Sequence, residues 1–149
     1  MYPTPSRNLT ARLLLLGLFL IVGPLSAQAP TPAGSWKGTW DSPDGSVYTA
    51  SAQLAVTSDG AVDGAINWTL KAATRADLIP KVGLSGVEYV HGTWDARCRV
   101  LAAAGYRLDD PQHILGMDRY ELILAVNGAG LGGITANGND WTGMLSLRR

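Results

Sequence analysis

The stretch Gly34-Ser35-Trp36-Lys37-Gly38-Thr39-Trp40-Asp41 decides how the chain is read. Two tryptophans stand four residues apart with a glycine midway between them. In a β-strand, residues i, i+2 and i+4 project from one face. Trp36, Gly38 and Trp40 therefore share a face that the later strands must close over.

Outward from it, the chain is a succession of ribbons and turns. Ser42-Pro43-Asp44-Gly45 has turn chemistry, with Pro second and Gly last. Over residues 46–57, Tyr48, Ala50, Ala52, Leu54 and Val56 alternate with Thr49, Ser51 and Gln53. Ser58-Asp59-Gly60 makes a tight turn, because Asp-Gly supplies positive φ cheaply. Val62, Gly64, Ile66, Trp68 and Leu70 then alternate with Asp63, Asn67, Thr69 and Lys71, completing a hairpin. Further strands are predicted over 86–95, holding Val87, Tyr89, Val90 and Trp94, and over 96–108, with Cys98, Val100 and Ala102 on one face. Short strands follow at 114–116 and 131–136, and longer ones at 119–126 and 141–148. Asp109-Asp110-Pro111, Asn127-Gly128 and Asn137-Gly138-Asn139-Asp140 are the intervening turns.

Residues 72–85 break this rhythm. Ala72 and its successors as far as Leu78 suit one or two helical turns before Pro80, and a connection this long is commonly functional. Helical periodicity appears nowhere at length. About eight or nine consecutive antiparallel strands must bury a face and lose their edges, and closure does both. The expected fold is all-β: a single up-and-down antiparallel β-barrel of about eight strands. A barrel of that size is either filled by side chains or holds one small ligand. Gly38-Thr39-Trp40-Asp41 recurs as Gly92-Thr93-Trp94-Asp95, which suits either related halves or one hairpin solution used twice.

The chain opens differently. Arg7 and Arg12 precede an apolar run over 13–22, which Gly23-Pro24 ends before Ala27-Gln28-Ala29. A basic start, a short apolar segment and an A-x-A site make a secretory signal peptide. The run is short of the roughly 20 apolar residues a membrane helix needs. The organisation expected is a signal peptide over 1–29, an extended lead-in over 30–34 and the barrel over 35–149. The mature chain is then exported, periplasmic or secreted, with no stable membrane span after cleavage. One domain suffices for that length.

Formal net charge is zero, and losing Arg7 and Arg12 leaves ten basic against twelve acidic side chains. That speaks against nucleic acid or anionic lipid as a partner. Cys98 is the only cysteine, so no internal disulfide forms. A small buried hydrophobe is expected there in preference to a reactive thiol. The single Phe lies in the leader, so core aromatics come from Trp and Tyr, whose polar tips suit a lined cavity or an interface.

Gly34-Ser35-Trp36 resembles the G-x-W that opens lipocalins and avidin-like proteins, the calycins. In that superfamily the first-strand Trp sits near the closed end, with a basic side chain from the last strand across it. Arg148 and Arg149 end the last strand here. The resemblance implies barrel closure through Trp36, Arg148 and Arg149, with a lumen open to a small ligand at the other end.

Candidate chemistry is sparse. His91 and His113 fall in no spaced ligand cluster. Asp109, Asp110, Asp118 and Glu121 form an acidic group without the calcium-loop pattern, and are expected to be solvated turn residues. Gly128-Ala129-Gly130-Leu131-Gly132-Gly133 fits G-x-G-x-x-G, but a strand rather than a helix follows, so it reads as a tight hairpin. G-x-S-x-G, P-loop and H-E-x-x-H are absent. No catalytic residue, metal site or cofactor is assigned, and an enzyme ranks below a binding protein. The expected function is an exported barrel holding a small apolar or amphipathic ligand against Trp40, Tyr48, Trp68, Tyr89 and Tyr120, with 72–85 as a lid. The alternative is a protein-binding barrel, an inhibitor of an exported enzyme or an accessory subunit.

Overall fold

The computed structural model describes residues 29–138 and 142–149. The signal-peptide reading of the leader, Trp141 and the second half of the 137–140 turn lie outside the described residues. Eight strands run in chain order: β1 (Gly34–Asp41), β2 (Val47–Val56), β3 (Ala61–Ala72), β4 (Ser85–Asp95), β5 (Val100–Asp109), β6 (Arg119–Leu124), β7 (Gly130–Ala136) and β8 (Thr142–Arg148). Each pairs antiparallel with the next, and β8 returns to β1 from Lys37↔Arg148 to Asp41↔Met144. The sheet is a closed barrel, so no strand is left with an open edge. No helix among the described residues is long and apolar enough to cross a membrane.

Period-two alternation places the core. Trp36, Trp40, Tyr48, Ala50, Ala52, Leu54, Ile66, Trp68 and Leu70 all face inward and are buried. Bulk alternates with smallness between neighbours: Ala52 lies beside Trp36, and Ala50 stands between Gly38 and Trp68. The indoles fill the space the small residues leave, as dense packing requires. Across the middle, Leu54, Ile66, Val90, Leu101, Leu122, Leu145 and Leu147 leave a void of only about 10 Å³. The lumen is filled by side chains there, each contributing roughly 1.5–3 kcal/mol by leaving water.

One end is shut by the first and last residues of the fold. Arg149 lies over the Trp36 ring, 4.4 Å from its centroid, and donates to the carbonyls of Thr31 and Ala33. Trp36 Nε1 donates to Pro32 O at 2.8 Å, and Pro32 is buried. Residues 31–33 are thus stapled across this end by a cation–π contact and three hydrogen bonds. Arg148 does not share the role expected of it. It precedes Arg149 by one residue, so the strand's alternation turns it outward, in register with Lys37 and Gly130.

Four further expectations change. Residues 96–99 form the β4–β5 turn, tied by Asp95 Oδ1 accepting from the Arg97 and Cys98 amides. Cys98 is therefore exposed rather than buried. Along β5 the inward residues are Leu101 and Ala103, not Val100 and Ala102. Leu101 is in register with the buried Trp94 and Leu122, which fixes that side as the inner one, and a bulge further along leaves Tyr106 as an extra residue and resets the alternation beyond it. Residues 114–116 are not a strand, although Ile114 is buried. The helical turn in the long connection falls at Ile79–Lys81, with Pro80 inside it where its missing N–H costs nothing.

Candidate functional site

The end opposite Arg149 gathers the polar core. Trp40 comes at the end of β1, Tyr48 at the start of β2, and Trp68 near the end of β3. Antiparallel order brings the three side by side: Trp40 is in register with Tyr48, and Ala50 with Trp68. Their rings meet edge to face, with centroids 5.5 Å apart for Trp40–Tyr48 and 6.3 Å for Tyr48–Trp68. This is the favoured geometry for rings with negative faces and positive edges. Gly143 makes the arrangement possible, because a Cβ there would fall 2.2 Å from the Trp40 ring. Trp40 Nε1 donates to Thr135 Oγ1 at 2.6 Å.

Glu88 stands among these aromatics, 1% exposed. Sequence reading passed it over, because Val87 and Tyr89 offered an apolar face and burying a carboxylate is expensive. The structure chooses the other parity, the one shared with Val90 and Trp94. Three donors offset the cost. Trp68 Nε1 donates to Glu88 Oε2 at 3.2 Å, the Tyr120 hydroxyl donates to the same oxygen, and the Asp118 amide donates to Oε1 at 2.9 Å. Gly105 makes room, since a Cβ there would lie 2.0 Å from Oε1. Burial pushes the Glu88 carboxyl up to about 7, against the lowering pull of its donors. Asp118 is also raised by burial, to about 6, with the Thr135 hydroxyl acting the other way. Tyr48 is pushed up to about 12, chiefly by burial.

A strap of irregular chain, residues 110–118, covers the group. Ile114 is buried under it, and its carbonyl accepts from Tyr48 Oη at 2.6 Å. The Leu115 amide donates to Asp110 Oδ2 at 2.7 Å. Between strap and barrel lies a cavity of about 30 Å³, lined by Trp40, Tyr48, Trp68, Glu88, Ile114, Leu115, Gly116 and Asp118. That volume accommodates about a water molecule or two. None of residues 72–85 lines it. The β3–β4 connection instead packs Leu78 into the core and reaches the strap through Lys81 Nζ, 3.0 Å from His113 O.

Of the five lining candidates, Trp40, Tyr48 and Trp68 line this cavity, and Tyr120 joins through its hydrogen bond to Glu88. Tyr89 does not belong to the group. It lies on the outer face, where the Arg107 guanidinium sits 3.7 Å from its ring centroid. Asp110 and Asp118, expected to be solvated, are half-buried at the two ends of the strap. His91 and His113 are exposed, and no trio of metal-ligating side chains converges among the described residues.

Neither a family model nor a curated protein matches the chain. Among solved structures, a redesigned β-barrel, mFAP0, bound to DFHBI, superposes with a TM-score of 0.59. The match covers 78% of this chain and 97% of that one at 14% sequence identity, which is a likeness of fold.

Proposed function

We propose that the chain is an exported, calycin-like barrel that binds a small amphipathic ligand at the strap-covered mouth. The observation carrying this reading is a buried Glu88 and a half-buried Asp118 set against an aromatic wall of Trp40, Tyr48 and Trp68, with irregular chain above them. A ligand's apolar body would lie on the rings. Its donor-bearing end, best an amine, would take the carboxylates, since cations are also held by aromatic faces. The cavity of about 30 Å³ is too small for such a ligand, so Ile114 and Leu115 must move aside as it enters. That mFAP0, a barrel of similar architecture, was solved with DFHBI bound gives the reading support by analogy. The test is a tryptophan-fluorescence titration with matched amphiphiles carrying amine, neutral or carboxylate heads. Saturable quenching that favours the amines is expected; a flat response across all three overturns the reading.

A second reading has one observation in its favour. Ile123, Ile134 and Met144 are each more than half exposed on the outer face of β6–β8, and Ile134 is in register with Met144. An exposed apolar patch suits a protein partner, as in the inhibitor or accessory-subunit alternative. Capture of a partner that is lost on Met144→Lys would favour this face over the mouth.

A further inference from the structure

We propose that residues 110–118 act as a proton-controlled strap: closed over the mouth while Glu88 and Asp118 hold protons, and released from it as they ionise. The inference rests on the reading of the mouth as the binding site, whose access it would regulate.

The strap is fastened at few points. Besides Tyr48 to Ile114 O and Lys81 to His113 O, its last residue is tied to the barrel by the Asp118 amide on Glu88 Oε1 and by the Gly105 amide on Asp118 O. The Thr135 hydroxyl adds a bond to the Asp118 carboxyl, so three of these five ties end on Asp118. The strap is also held at a cost. His113 has φ 52°, in the left-handed region that side chains other than glycine rarely adopt, and Asp110 Oδ1 is buried without a partner.

Neither acid faces a base among the described residues. The only ion pair among the described residues is Arg75–Asp77, so neither Glu88 nor Asp118 is paired with a base. Glu88 is faced by Asp118 from the strap, by Tyr120 from β6 and by the neutral Trp68 from β3. Asp118 is faced by Thr135 from β7. Tyr48, which grips the strap, feels Asp110, then Arg75 in the opposite sense, then Asp44 and Asp118. Ionising both acids therefore places two uncompensated negative charges at the foot of the strap. Swinging Asp118 outward is the least disruptive relief, because it lies outside the ladder of β6.

The sign follows from burial. Both acids hold their protons more tightly in the closed form, Glu88 to about 7 against an ordinary 4.5. Closure is thus favoured below that ordinary value and weakens as pH rises to about 7. For Glu88 the open population grows by at most on the order of 100-fold, because Trp68 and Tyr120 still face it when the strap leaves.

Hydrogen exchange on the ligand-free protein tests this, following the Leu115 and Asp118 amides from pH 5 to 8 after correction for intrinsic exchange. Strap protection is expected to drop by about 10- to 100-fold across this range, and at every pH to lie below that of the Leu122 and Leu124 amides of β6, which open only with the whole fold. Glu88→Gln and Asp118→Asn should each shrink the drop, Glu88→Gln the more, while His113→Asn, which suits the left-handed backbone, should keep it. If Glu88→Gln fails to fold, Asp118→Asn carries the comparison. Level strap protection, strap protection no lower than that of β6, an undiminished drop in either acid variant, or one abolished in His113→Asn overturns the proposal. No ligand takes part, so failure of the mouth to bind anything is a separate result.

Discussion

Gly143→Ala is the sharpest probe of how the mouth is built. The added Cβ would lie 2.2, 2.3 and 2.4 Å from Trp40 Cε2, Cζ2 and Nε1. No real Cβ sits that close, so the indole must turn away. It is 3% exposed and wedged against Tyr48, which leaves it little room. Overpacking of this kind costs about 1–3 kcal/mol. Turning the ring also breaks its hydrogen bond to Thr135 Oγ1 and leaves buried polar atoms unpaired, at about 1–3 kcal/mol. A loss of about 2–6 kcal/mol is expected, read as the change in urea midpoint at constant slope. Gly138→Ala is the control, since its Cβ would meet nothing within 4 Å; it should stay within about 0.5 kcal/mol of wild type. A double-mutant cycle with Trp40→Phe locates the effect. If the indole is the obstacle, the two changes couple by more than about 1 kcal/mol. A Gly143→Ala protein as stable as wild type, or additive with Trp40→Phe, would refute this account of the aromatic wall.

Three further outcomes are expected. Global stability should fall, by at most about 3 kcal/mol for Glu88, as pH rises from about 4 to 7, because Glu88 and Asp118 carry raised values in the fold. The turn acids Asp44, Asp59 and Asp95 are lowered by hydrogen bonds and work in the opposite sense only as pH falls further, so denaturation midpoints should peak in mild acid; a rise from pH 5 to 7 would contradict this. Arg149→Ala should lower stability by about 1–2 kcal/mol through the lost Trp36 contact and its two carbonyl bonds, while Arg148→Ala stays near zero, and equal thermal shifts would deny the staple. Cys98 should react with a thiol reagent stoichiometrically in native buffer, whereas protection until unfolding would place it in the core after all.

Local pattern alone determined the ribbons, their turns and the barrel they make. In β2 and β3 every inward residue was legible, because Thr49, Ser51, Gln53, Asp63, Asn67, Thr69 and Lys71 all fall on one parity and the large apolar side chains on the other. Trp36 and the arginines at the chain end were legible too, as types, but the choice of Arg149 over Arg148 depends on where the last strand's alternation stops. Tertiary structure decided the rest. In β4 both parities carry apolar residues, so the face is settled only when neighbours supply donors for Glu88 and a glycine on β5 vacates its space. In β5 the bulge resets the alternation partway along, and no local signal marks it. The mouth joins residues 40, 48, 68, 88, 118 and 120 from five strands and a strap. Spacing along the chain cannot report such an encounter, because what holds a carboxylate in the core is the set of partners that closure brings to it.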